Sequence, residues 1–263
     1  MNGNGNGASG TPLGVNVAYS KFFFVTPARD DEVARARLRA AAGIVARGFF
    51  NDFDAEGREA PHETIQFLVR AAAGSGEPSC APYAMQVCSK YRPRLQETAV
   101  ELRRRVADFA EVTSYEGALR APQYTSAEMH AFAYRGALAR ASGRLQRNAI
   151  IIPMRKATAW WDKAPLERQT YFYPHADDAG VPVMGHARAA EPGIGAIYRR
   201  LYYNPDGPGR ENEWDFVTYF ECADEHLATF DRICASLRDV RQNPEWRYVT
   251  EGPEWRGRRV LRW

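Results

Sequence analysis

The sequence predicts an α+β fold built from two similar halves, over residues 14–140 and 148–263. In each half a strand pattern is followed by an amphipathic helix, further strands, a second amphipathic helix and a final strand. The strand segments are rich in aromatic and β-branched residues, and the helical segments repeat apolar residues every three or four positions. Two antiparallel sheets with helices on one face could pair and enclose an apolar barrel interior.

The local signals in the first half are strongest at its two helices. Asp30 and Asp31 can cap a helix that runs to about residue 49, and Pro93 can open the second helix. A Gly- and Arg-rich stretch over 136–148 is the best candidate for a linker between the halves. Strands are predicted over 15–27, 62–72 and 111–125.

The second half repeats this order with more aromatic residues. A buried strand is predicted over 148–154, a helical segment over 160–175 with Pro165 in its first turn, and a helix over 224–243. Further strands are predicted over 196–204, 214–223 and within 245–263.

Composition and charge argue against several classes of protein. The chain has 263 residues, 45% of them hydrophobic, and a formal net charge of +3, with Lys and Arg interspersed among Asp and Glu. No basic run accompanies a nucleic-acid motif, so we expect no nucleic-acid partner. Residues 1–13 lack the charged and apolar regions of a signal peptide, and no apolar run has the length of a membrane span. We therefore expect a cytoplasmic protein with a disordered tail over 1–13 and no membrane partner.

The residues able to bind a metal form no familiar motif. Cys80, Cys88, Cys222 and Cys234 match neither a zinc pair nor a disulfide framework, so free thiols are expected. The histidines form no H-E-x-x-H pair, and the chain has no G-x-S-x-G or phosphate-binding loop. A lone histidine is more often a surface or core residue than a ligand. The five histidines are His62, His130, His175, His186 and His226.

One segment nevertheless resembles a known haem-binding sequence. Residues 152–175, IPMRKATAWWDKAPLERQTYFYPH, resemble the haem-binding segment of chlorite dismutases. That family has an Ile-Pro, a Lys, a Trp-Trp pair, a Glu-Arg dipeptide and then the iron-ligating His at set distances. Residues 198–203 and 215–221 are similar to the family's distal-side strands, and the resemblance covers the second half more closely than the first. The matching residues are Lys156, Trp160, Trp161, Glu167, Arg168 and His175.

The resemblance implies an architecture and a cofactor. It implies two ferredoxin-like repeats per chain in a dimeric α/β-barrel arrangement, shared with coproheme decarboxylases and dye-decolourising peroxidases. It also implies haem b and a homo-oligomer, with a pentamer favoured because family members form ring pentamers or similar symmetric assemblies. Ile152 argues against coproheme decarboxylation, because the coproheme decarboxylases have a redox-active Tyr at that position.

The resemblance also assigns roles on the proximal side of the haem. His175 would bind the iron, and Trp160 and Trp161 would form an aromatic wall, with core packing as the alternative. Fourteen residues separate Trp161 from His175, close to four helical turns, so both are expected to border one cavity. Lys156 would pair with a haem propionate or be a solvated charge at a strand end. Tyr124 resembles a second propionate-binding position.

On the distal side the resemblance points to two strands. Arg199 matches the family's distal arginine, which binds an anionic oxidant, and Leu201 would contact the cofactor. Arg200 would point to the opposite face of the strand, although a slip of one residue would exchange the two arginines. Thr218 and Phe220 match residues that line the distal pocket.

Two departures from the family bear on the haem site. An insertion of about ten residues within 176–193 supplies His186 and Arg188, which we expect to be loop residues. The carboxylate that hydrogen-bonds the ligating histidine in chlorite dismutases has two candidate counterparts here, Gln242 at the expected position and Glu245 three residues later.

The function expected from the resemblance is conversion of chlorite to chloride and dioxygen, or related oxygen-atom chemistry. The first alternative is a haem enzyme of a biosynthetic pathway that acts on peroxide, nitrogen-oxide or hydroxylamine-type substrates. The second is a haem binder or carrier without enzyme activity. In each case the partners would be haem and, for the enzymes, a small oxidant or N-oxygenated small molecule.

Overall fold

The computed structural model describes residues 18–51, 63–71, 81–119, 146–210 and 213–263. In the first half the elements are β1 (Ala18–Pro27), α1 (Glu32–Val45), β2 (Phe50–Asn51), β3 (Thr64–Arg70), β4 (Tyr83–Ser89), α2 (Arg92–Val106) and β5 (Ala110–Leu119). In the second half they are β6 (Asn148–Lys156), α3 (Thr158–Trp161), α4 (Pro165–Thr170), β7 (His175–Ala176), β8 (Pro182–Val183), α5 (Gly185–Ala190), β9 (Ile197–Tyr203), β10 (Phe216–Cys222), α6 (Leu227–Arg238), β11 (Val249–Glu251) and β12 (Trp255–Val260).

The main sheet has ten strands and closes on itself. Its long strands follow the order β10-β9-β5-β1-β4-β3-β12-β6, and β6 pairs back with β10. Within each half the last strand lies beside the first, then the third and then the second, which is the order of a ferredoxin-like repeat. The two halves join where β5 pairs with β9 and where β3 pairs with β12. The predicted α+β architecture of two ferredoxin-like repeats is therefore confirmed.

The strands bury side chains on both faces of the barrel wall. Phe22, Tyr219 and Trp255 belong to a cluster inside the barrel. Outside it, α1 and α2 cover the first half of the sheet with residues such as Leu38, and α6 covers the second half with residues such as Phe230. Full burial of each such side chain contributes about 1.5–3 kcal/mol, so this double burial holds the wall rigid.

Several elements differ from their prediction. β4 was not predicted, because its sequence YAMQVCS is buried on both faces and lacks the alternation of a half-exposed strand. The helix predicted over 160–175 is two short helices, because Pro165 begins a new helix after a turn at 162–164. The helix within 224–243 spans Leu227–Arg238, and the final segment is split into β11 and β12.

Some predictions concern residues that the structure does not describe, or describes only in part. The tail over 1–13, most of the linker and Cys80 are not described, and the boundaries 14–140 and 148–263 stay predictions. Within the described segments, Cys88, Cys222 and Cys234 are free thiols. None of the described helices is long and apolar enough to span a bilayer.

The cap of α1 gives a first testable prediction. The Asp31 side chain accepts a hydrogen bond from the Ala34 amide at 2.8 Å, as a helix N-cap does. Asp31→Ala should lower the free energy of unfolding by about 1 kcal/mol, and Asp31→Ser, which keeps a capping oxygen, should lower it much less. Urea unfolding of both variants measures this difference, and equal losses would contradict the capping role.

Candidate functional site

The outer face of the second-half sheet brings together the predicted distal residues. Phe220 of β10 lies opposite Arg199 of β9, and Thr218 lies opposite Leu201. Directly opposite residues of an antiparallel pair point to the same face. Leu201 packs in the cluster that α6 covers, so all four side chains lie on this outer face.

The register also separates the two neighbouring arginines. Arg200 lies on the inner face, with its guanidinium 4.3 Å from the Tyr198 ring centroid. Arg199 is half-buried on the outer face, and within the described parts of the chain no hydrogen bond or ion pair engages its guanidinium. A half-buried guanidinium of this kind can bind an anion with two parallel hydrogen bonds.

Lys156 lies at the end of β6 and is buried. Its ammonium pairs with Glu245, and the two side chains are 2% and 3% exposed. The ammonium also lies 3.4 Å from the ring centroid of Trp160. The predicted alternative of a solvated charge at a strand end is therefore wrong, because Lys156 is buried and paired with Glu245. Its predicted role as a propionate partner stays a prediction.

Glu245 connects this lysine to a histidine. Its second carboxylate oxygen lies 2.9 Å from Nδ1 of His186, whose side chain is 20% exposed. A carboxylate partner places the proton on Nδ1 and leaves the lone pair of the neutral ring on Nε2. We call Lys156, Glu245 and His186 the Lys-Glu-His triad.

Charge balance keeps the Glu245 carboxylate of this triad ionised. Burial alone would raise the pKa of Glu245, but the Lys156 ammonium and His186 outweigh it and lower that pKa to about 2. Burial lowers the pKa of Lys156 to about 8, against the opposing effect of Glu245. At neutral pH a carboxylate anion therefore stands behind the imidazole.

The backbone around α5 fixes His186 in place. Gly185 has φ +73°, and a Cβ there would lie 2.4 Å from the carbonyl oxygen of Tyr173. The amides of Met184 and Gly185 both donate to the Gln242 carbonyl at 3.0 Å. The expectation that His186 belongs to a loop is therefore wrong, because these contacts hold it in a short helix.

This geometry gives a second prediction. Gly185→Ala adds a Cβ where backbone atoms already lie and at a φ that costs about 1 kcal/mol or more for other residues. We expect a drop in the unfolding free energy and displacement of His186 from Glu245. Gly180→Ala, where a Cβ meets open space at a similar φ, is the matched control. Urea unfolding measures the stability, and a histidine-selective NMR spectrum measures the displacement.

The structure does not bring His175 to the triad. Its Nδ1 lies 2.9 Å from the Tyr173 carbonyl, and its ring centroid lies 6.0 Å from that of Tyr171. Because the helical run breaks at 162–164, the four turns expected between Trp161 and His175 do not exist. The predicted contact of His175 with Gln242 or Glu245 is thus absent, and its role as iron ligand stays a prediction.

The two predicted tryptophans, Trp160 and Trp161, have different surroundings. Trp160 is fully buried, with ring centroids 5.3 Å from Tyr171 and 5.6 Å from Tyr248, as the core-packing alternative predicts. Trp161 is half-buried and donates to Asp215 at 3.2 Å.

The side chains of Gln242 and Arg188 lie away from these contacts. Gln242 is exposed and takes part through its backbone carbonyl. Arg188 is exposed and pairs with Glu191. Tyr124 lies outside the described residues.

Sequence reasoning missed two residues of the site, His186 as a member of the triad and Asp215. Asp215 is buried and accepts from the Lys156 and Gly209 amides, each at 2.7 Å, besides Trp161. The available signal for His186 was Glu245, because a carboxylate next to an apolar segment needs a cation or donor when buried. Within the described residues no group of three or more His, Cys, Asp or Glu could hold a metal ion.

Comparison with known proteins identifies the fold. No family model matches the chain. Chlorite dismutase from Candidatus Nitrospira defluvii in complex with imidazole is 18% identical, with a TM-score of 0.65 over 92% of this chain and 91% of that one. A mutant of that enzyme in complex with cyanide is 17% identical, with a TM-score of 0.64 over 92% and 90%. A third structure, provisionally assigned as a chlorite dismutase, is 12% identical, with a TM-score of 0.61 over 93% and 95%.

Proposed function

The chain has a chlorite dismutase-like fold, and from this we propose that it is a haem b-dependent oxidoreductase. The observation that carries the proposal is the buried Lys-Glu-His triad beside the sheet face that presents Arg199. A buried carboxylate behind an imidazole is the arrangement that orients and polarises a metal-ligating histidine. The residues on the outer face therefore fit an imidazole-bound haem.

His186 is the better candidate for the iron ligand. Glu245 engages its Nδ1, so Nε2 is available as the electron-pair donor, and Lys156 keeps the carboxylate ionised. The imidazole then donates more strongly than a free histidine would. Bound haem would supply the iron that exchanges oxygen atoms and electrons with the oxidant.

Arg199 and its neighbours would bind the oxidant. The guanidinium offers paired donors to an anion such as chlorite and would stabilise negative charge on the leaving oxyanion. Thr218 is buried beside Leu201, with its hydroxyl donating to the Met154 sulfur at 3.8 Å, and Phe220 beside Arg199 keeps the wall apolar. This set suits conversion of chlorite to chloride and dioxygen.

An oxygen electrode tests the activity on haem-loaded protein. We expect oxygen evolution from chlorite, and we expect Arg199→Ala to keep the Soret band but lower turnover by about 10²-fold. Arg200→Ala, on the opposite face, is the matched control and should retain turnover. If chlorite only bleaches the haem while a peroxide or N-oxygenated substrate turns over, the biosynthetic alternative replaces this proposal. Haem transfer to apo-myoglobin without turnover would identify a carrier.

The proposal includes a symmetric homo-oligomer that works in the cytoplasm, with a pentamer favoured. Native mass spectrometry of the haem-loaded protein measures the subunit number, and a monomer at micromolar concentration would contradict the assembly.

A further inference from the structure

A buried hydrogen-bonded pair lies inside the barrel, behind the proposed haem-facing wall. The Tyr219 hydroxyl donates to Glu221 at 2.5 Å, and both side chains have no solvent exposure. The other Glu221 oxygen lies 3.2 Å from Nη1 of Arg259, which is also buried. The Gln66 side-chain oxygen lies 3.2 Å from the same hydroxyl. The pair is therefore a buried phenol hydrogen-bonded to a carboxyl group that also faces a guanidinium.

The position of Tyr219 relates this pair to the outer face. Tyr219 stands between Thr218 and Phe220 on β10, and alternation sends its side chain to the inner face while theirs point outward. Its ring lies 5.7 Å from Phe22 and 6.5 Å from Tyr198, measured between centroids. One strand of backbone separates the phenol from the proposed oxidant site.

We propose that Tyr219 is an internal one-electron donor to the haem site and that Glu221 is its proton acceptor; this rests on the proposed function. A peroxide would take two electrons from the bound haem and be reduced to water. The Tyr219 phenol would return one of these two electrons to the haem site. The phenolic proton moves along the existing hydrogen bond to Glu221, leaving a neutral tyrosyl radical.

Burial makes the proton acceptor essential. Loss of an electron without loss of the proton would leave a phenol cation on a buried side chain, where an added charge is costly. The short bond to Glu221 removes that cost, because the proton needs to move only about 1 Å or less along a preformed hydrogen bond. Arg259 then faces a protonated carboxyl until an electron returns.

Rapid-freeze electron paramagnetic resonance on haem-loaded protein mixed with hydrogen peroxide tests this role. We expect a tyrosyl signal that Tyr219→Phe removes and that Glu221→Gln, which keeps the side-chain shape but accepts no proton, strongly reduces. Tyr202→Phe is the matched control, since Tyr202 is also buried in the barrel but its hydroxyl contacts Gln86.

The Soret band reports haem binding, so it distinguishes failure of the Tyr219 proposal from failure of the proposed function. Each variant is compared at equal haem content and unchanged circular dichroism, so a misfolded variant is recognised. A normal Soret band with a tyrosyl signal that survives Tyr219→Phe overturns the role of Tyr219 alone. A chain that takes up no haem overturns the proposed function and this inference together.

Discussion

His186→Ala should abolish the Soret band that the protein acquires with haem, while His175→Ala should retain it. His186 has its Nδ1 engaged by buried Glu245, so its ring is oriented and its Nε2 is free to donate. His175 instead bonds to the carbonyl of Tyr173, in a two-residue strand. Titration of haem into each purified variant, followed by absorbance, measures the difference.

Free imidazole provides the matched control for this pair of variants. The cavity left in His186→Ala lies beside Glu245, so added imidazole should occupy it and restore the band. The same addition should not alter His175→Ala. A band lost in His175→Ala and kept in His186→Ala would instead assign the iron to His175.

Much of the fold could be predicted because its signals are local. Alternation along a strand and spacing along a helix need only a few neighbouring residues, and they located β1, α1, α2 and β10. β4 escaped because both of its faces are buried, one in the barrel and one under the helices. Burial on both faces follows from closure of the sheet, which no single segment encodes.

The two sides of the site differ in how much of their geometry follows from local sequence, for the same reason. Thr218 and Phe220 share a face through a period of two, as the sequence predicts. Arg199 joins them through the register between β9 and β10, which the sequence left open to a slip of one residue. The partner of Glu245 depends on where α5 packs, which in turn depends on a helix break and on the backbone of Gly185. Spacing along one segment therefore pointed to His175 and passed over His186.

Lys156→Ala should lower the free energy of unfolding by about 3–5 kcal/mol, because it leaves the Glu245 carboxylate buried without its cation. Arg104→Ala, which removes a cation paired with Glu101 at the surface, should cost no more than about 1 kcal/mol and is the matched control. Urea unfolding of the haem-free variants gives both values. Equal losses would show that the buried pair contributes no more to stability than an exposed pair does.

Replacing the whole pair separates its structural effect from its effect on the imidazole. Lys156→Met combined with Glu245→Leu removes both charges and keeps side-chain volume, so most of the lost stability should return. His186 would then lack its Nδ1 partner, and haem affinity should stay about 10- to 100-fold below that of the unaltered chain. If stability and haem affinity recover together, the triad does no more than hold the fold. If only stability recovers, Glu245 acts on the imidazole itself.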